Sequence, residues 1–195
     1  STDGDVITVL SSRMQFVFNK KSGLVSSYKV NGTEYFAEGF GIQPNFWRAP
    51  TDNDYGNGGT KREQIWKQSS KNFNVADVTT ETDGNKTILT ANYLLAAGNL
   101  YIMKYTIYPD GVVHADITFT STDMKAASTE VSEATLMATF TPGQDAQRLA
   151  SSKLNVPRIG VRFRLPSDMN QVEYFGRGPG ENYIDRNASS FVDLY

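Results

Sequence analysis

The run FWRAPTDNDYG, Phe46 to Gly56, sets Trp47 and Arg48 ahead of Asp52, Asn53 and Asp54, with Gly56 closing the stretch. Two carboxylates this near each other raise glycoside hydrolysis, which needs an acid and a base or nucleophile on opposite sides of the scissile bond, about 5 Å apart in retaining enzymes. Sequence proximity does not supply that geometry, and Asx-rich loops ordinarily bond their own backbone. A calcium loop is the other chemistry the run suggests, because Asp52, Asp54 and Glu63 occupy positions one, three and twelve of an EF-hand spacing. Gly56 and Asn57 stand at positions five and six, where the motif needs a ligand and a Gly, so no metal site is assigned.

A second run, YFGRGPGENYIDR, places Gly176, Gly178 and Gly180 around Pro179 and then Glu181, Asn182, Asp185 and Arg186. Pro179 removes a backbone donor and no helical pattern follows, so the dinucleotide fingerprint fails. The run reads as a structural corner, a strand ending in a glycine-rich bend fixed by charge-assisted bonds from Glu181, Asp185 and Arg186. His114 is the only histidine. It excludes a His-His metal site and falls on the polar face of its strand.

Composition bounds what can carry these runs. The 195 residues are 39% hydrophobic and 12% aromatic, enough for a core, and contain no cysteine, which removes disulfides and thiolate chemistry. A net charge of −2 without a dense Lys/Arg run argues against nucleic acid and anionic membranes as partners. No window approaches the roughly 18 apolar residues of a membrane span. Absence of cysteine does not separate bacterial cytoplasm from periplasm, so the compartment stays open.

The elements that must position the two runs follow a period of two. Met14, Phe16 and Phe18 share one strand face, as do Val113, Ala115, Ile117 and Phe119. Hairpin turns are expected at Asn31-Gly32, at Asp83-Gly84 and, between the β-rich runs LYIMKYTIY and VVHADITFT, at Pro109-Asp110-Gly111. Further strands are expected at LVSSYKV, FNVADVTT, TILTANYLL, ATLMATF, RIGVRFRL and QVEYF, which makes an antiparallel sandwich. One short helix is expected near 61–69, with Thr60 and Glu63 in capping-box spacing. The polar stretch STDMKAASTEVSEA is expected as loop. Without an internal linker the chain reads as a single domain, 1–195. Its start without Met and its end in the strand-like SSFVDLY are expected of a segment cut from a longer polypeptide.

The two signature runs, in this order within a strand-rich chain, resemble the carboxyl-terminal small-chain domain of family 2 β-galactosidases of the lactose-hydrolysing bacterial type. FVFNKKSGLVSSYKVNGTEYF resembles that domain's first hairpin as well. The resemblance implies an all-β, galactose-mutarotase-like β-supersandwich beside a TIM-barrel domain and other domains of the same parent chain. Both catalytic glutamates and the principal metal ligands of the family belong to the barrel, so this chain is expected to hold no catalytic residue and no cofactor. Magnesium and sodium are implied only for the parent's other domains. A sugar-contacting tryptophan of the family comes from beyond Tyr195, and neither Trp47 nor Trp66 matches it.

The expected role is therefore an accessory domain that shapes the active-site mouth and meets the galactoside indirectly. Phe46 and Trp47 would anchor the segment by burial, Arg48, Asp52, Asn53 and Asp54 would hold it by side-chain bonds, and Gly56 would let it turn. The rival readings are a carbohydrate-binding module with sugar on exposed aromatics, and a structural or oligomer-forming domain.

Overall fold

The computed structural model describes residues 1–95, 99–120, 156–180, 182 and 187–195. These form two compact units, Ser1–Arg164 and Leu165–Tyr195. Both are built of antiparallel strands with a few short helical turns, the all-β class that the alternation predicts.

In the first unit, β1 (Thr2–Asp3), β2 (Val6–Leu10), β3 (Met14–Asn19), β4 (Leu24–Val30) and β5 (Thr33–Glu34) follow one another in a five-stranded antiparallel sheet. Period-two alternation on β3 buries Met14, Phe16 and Phe18 while their neighbours stay partly exposed. The β4–β5 turn is Asn31-Gly32, both at positive φ (50° and 82°), which suits a tight two-residue hairpin. Next come β6 (Gln43–Asn45) and the helical turns α1 (Asp52–Gly56), α2 (Gly59–Arg62) and α3 (Gln64–Ser69). A second sheet follows in the order β10-β9-β8-β7, from β7 (Asn74–Asp83), β8 (Lys86–Leu94), β9 (Leu100–Ile107) and β10 (Val113–Thr120). Its turns fall at Gly84-Asn85, directly after Asp83, and at Pro109-Asp110-Gly111, where hairpins are expected.

The two sheets face each other across one core. On β8 and β9 the register sets Leu89 opposite Tyr105, Ala91 opposite Met103 and Tyr93 opposite Tyr101, all fully buried. The small Ala91 leaves room for Met103, the size alternation that close packing requires. Tyr105 reaches across to the first sheet, 5.6 Å from Phe16 and 6.1 Å from Phe18 between ring centroids. Tyr93 donates its hydroxyl to the Gly23 carbonyl at 2.7 Å, a polar tie between the sheets. Each such buried aromatic side chain is worth about 2–3 kcal/mol of transfer free energy.

Four details differ from the sequence expectation. The single helix near 61–69 is two helical turns, α2 and α3, preceded by a third, α1, because Gly58 takes the left-handed region (φ 72°) and Glu63 departs from helical geometry (φ −98°, ψ 10°). Thr60 lies inside α2, so it does not cap a helix with Glu63, and the capping box belongs to Thr51 and Asp54. RIGVRFRL forms strand only at β11 (Gly160–Arg162), where β6 supplies a ladder partner. QVEYF is strand only at its end: β12 (Phe175–Gly178) pairs with β13 (Phe191–Leu194), and two bonds between Tyr174 and Tyr195 extend the ladder. The strand expected at 134–140 and the loop expected at 121–134 lie outside the described residues.

Candidate functional site

The segment from Phe46 is built on the end of β6. Phe46 is fully buried, with ring centroids 5.1 Å from Tyr101, 5.9 Å from Trp66 and 6.0 Å from Phe119. Its N–H donates to the Ser70 hydroxyl at 2.8 Å, and that hydroxyl donates to the Trp66 carbonyl at 2.9 Å, which locks the segment to the end of α3. Anchoring by burial is therefore the work of Phe46. Trp47 is only half-buried, and the Lys67 ammonium stands 5.5 Å from its ring centroid, a cation–π contact.

Beyond the aromatics the chain turns on one carboxylate. Asp54 Oδ1 accepts from Arg48 Nη2 at 2.9 Å, while Oδ2 accepts from the Thr51 N–H at 2.8 Å and the Thr51 hydroxyl at 3.1 Å. Both oxygens are thus occupied, and the Thr51 N–H at the start of α1 has its acceptor. Asp52 and Asn53 are exposed on α1, and Tyr55 is 64% exposed. Gly56 ends α1 without a positive φ, and the reversal falls two residues later at Gly58.

Trp47, Arg48, Pro50, Asp54, Thr60, Glu63 and Pro157 line a narrow crevice behind this turn. The buried Glu63 carboxylate accepts from Arg62 Nη2 at 3.3 Å. The crevice is only about 10 Å³, room for about one water and far below the volume of a sugar site. Asp52 faces solvent on α1, whereas Asp54 is turned inward onto Arg48 and Thr51.

The second signature is held in its own unit. Gly176 lies opposite Asp193 and Gly178 opposite Phe191 on the β12–β13 ribbon. Gly178 is packed between two rings: a Cβ there would collide with the Tyr174 hydroxyl and stand 2.9 Å from Tyr195 Cδ2, so any larger residue would have to displace these rings. The Tyr195 hydroxyl donates to the Gly178 carbonyl at 3.0 Å, and the Gly178–Pro179 peptide is cis. Arg177 Nη1 donates to the carbonyls of Ser190 (2.9 Å) and Asn187 (3.2 Å), clamping the return. Asn182 is exposed. Glu181, Asp185 and Arg186 lie outside the described residues. Sequence reasoning missed Thr51, Ser70, Gly58 and Arg177, of which Thr51 alone carried a signal, its T-x-x-D spacing to Asp54.

Comparison with known proteins places these features among relatives. The family described as beta galactosidase small chain matches residues 11–195. The chain is 31% identical over 193 residues to a beta-galactosidase of Priestia megaterium, covering 97% of this chain and 16% of that protein. It is 27% identical over 199 residues to a beta-galactosidase of Kluyveromyces lactis, again covering 97% of this chain and 16% of the relative. A beta-galactosidase of Halalkalibacterium halodurans is 26% identical over 186 residues. The chain thus spans only 16% of the length of these first two relatives, so they hold further domains beyond the matched part.

Proposed function

The chain belongs to the β-galactosidase small-chain family, and from that premise we propose that it serves as an accessory β-sandwich of a β-galactosidase that hydrolyses terminal β-D-galactosides with retention. In this reading it borders the active-site mouth and leaves the paired glutamates of the double displacement to another domain of the same parent chain. The observation that carries it is the segment 46–56, pinned at its root by Phe46 and Asp54 and presenting Asp52, Asn53 and Tyr55 outward. A stiff root with an exposed polar and aromatic tip suits the rim of a sugar pocket, where loops held by a rigid scaffold do the contacting.

The test compares the chain alone with a β-galactosidase that carries it, on a chromogenic galactoside. The chain alone is expected to be inactive, and the double variant Asp52→Ala/Tyr55→Ala in the larger enzyme is expected to change kcat/KM several-fold with little change in melting temperature. Hydrolysis by the chain alone, or an unchanged kcat/KM in the variant, overturns the reading.

The carbohydrate-binding alternative finds less support in the first unit. Trp66, Tyr93, Tyr101 and Tyr105 are spent on the core, and the outer ring of Trp47 is already faced by Lys67. Titration calorimetry with galactose and lactose separates the two.

A further inference from the structure

Arg162 ends β11 and Arg164 stands two residues on, so strand alternation turns both side chains toward one face. They meet a single ring. The guanidinium carbon of Arg164 is 4.3 Å from the Phe40 ring centroid and that of Arg162 is 5.5 Å from it.

The two arginines are held differently. Arg162 is fixed from behind: Nη2 donates to the Ser70 carbonyl at 3.1 Å and lies 3.4 Å from Gln43 Oε1. Arg164 is fixed through its backbone, its N–H donating to the Phe40 carbonyl and its carbonyl accepting from the Ala37 N–H, both at 3.0 Å. Its side chain is exposed.

Like charges gathered at one ring repel. Among the described residues the ion pairs are Arg48–Asp54, Arg62–Glu63, Lys86–Asp83 and His114–Asp116, and none includes Arg162 or Arg164. The chain has 21 acidic residues, more than its 19 basic ones. A carboxylate was available in composition, yet none of the described ones meets this pair. Guanidinium forks match a carboxylate with two parallel N–H donors, and stacking on an aromatic ring pre-orients the fork.

We propose that Arg164 and Arg162, arrayed on Phe40, form a carboxylate-binding site. Arg162 supplies a fixed positive field and Arg164 the exposed fork that closes on the ligand. The same chemistry is met by a free dicarboxylic acid or by acidic side chains of another protein segment.

The experiment follows the arginine Nε–H resonances of the protein by NMR. The probes are malonate, an acetylated Glu-Gly-Glu peptide, inorganic phosphate and, as control, chloride at equal ionic strength. A saturable shift of the Arg164 signal with malonate or the peptide, and none with chloride, is the expected result. Tighter binding of the peptide assigns the site to a protein segment, and tighter binding of malonate to a free acid. Arg164→Gln is expected to weaken binding about tenfold, the loss of one charge-assisted fork, with an unchanged melting temperature. Arg164→Lys, which keeps the charge without the fork, is expected to lose a large part of the affinity as well. Responses no larger than with chloride, tighter binding of phosphate than of either carboxylate, or undiminished binding in both variants overturns the proposal.

Discussion

Asp52 and Asp54 carry the same functional group two positions apart, yet the fold uses only one of them as an anchor. Asp54 accepts three bonds and its side chain is 18% exposed, whereas Asp52 is turned outward on α1. Asp54→Ala is therefore expected to cost about 1–3 kcal/mol by leaving Arg48 and the Thr51 N–H without this acceptor. Asp52→Ala is expected to stay within about 0.5 kcal/mol, as exposed substitutions do. Thermal melts of the two variants check the contrast. The sequence led to the expectation that Asp52 shares in holding the segment by side-chain bonds, a role that Asp54 fills with Arg48 and Thr51. Residue types located the segment, but which acid turns inward depends on where α1 begins, and it begins just after Thr51. Tertiary support decided between the two acids, since Phe46 fixes where the chain leaves β6 and Arg48 then lies within reach of Asp54.

At the level of elements, β5 shows how a two-residue strand is held. Glu34 accepts from the Ser27 hydroxyl, from the Tyr28 N–H at 2.9 Å and from the Phe36 N–H at 3.1 Å. Burial by itself would raise its pKa, but these bonds, with the Lys29 charge, outweigh it and hold the carboxyl below the usual value of 4.5. A lowered native pKa means that the contribution is present above the unfolded value and is lost as pH falls through the native one. Glu34→Gln is accordingly expected to flatten the acid limb of the stability profile and to lower stability at neutral pH, as denaturant titrations across acid pH would record. Elements were legible wherever alternation met a turn signal: β3, β4, β7, β8, β9 and β10 all follow from apolar spacing and Gly-containing turns. The short β6, with Pro44 inside it, escaped because three residues are too few for a period, and β11 is shorter than the expected RIGVRFRL because only pairing with β6 makes strand there.

At the scale of the first unit, the core is unusual in being built on tyrosines. Tyr93, Tyr101 and Tyr105 are fully buried, and desolvation raises the pKa of each well above the ordinary 10.0, with neighbouring tyrosines adding to the effect at Tyr93 and Tyr105. For groups whose native pKa is raised, stability is fully present below the unfolded value and is lost as pH rises through the native ones. The sandwich should therefore hold to about the ordinary tyrosine value and weaken beyond it. Tyrosinate absorbance should lag in the native protein and then appear together with loss of β-sheet circular dichroism, and ionisation of all tyrosines before any loss of structure would contradict this core. The sandwich class was legible because the inward faces announce themselves by alternation. Which tyrosines fill them was not, since a hydroxyl reads as polar until a carbonyl such as that of Gly23 is placed to receive it.

The two tryptophans divide these surroundings between them, and that gives the protein a built-in optical gauge. Trp66, 2% exposed between Phe46 and Phe119, should emit toward the blue, while half-buried Trp47 should be the one that dissolved acrylamide reaches. Loosening of the segment 47–56 alone would then dim one colour of emission and leave the other untouched.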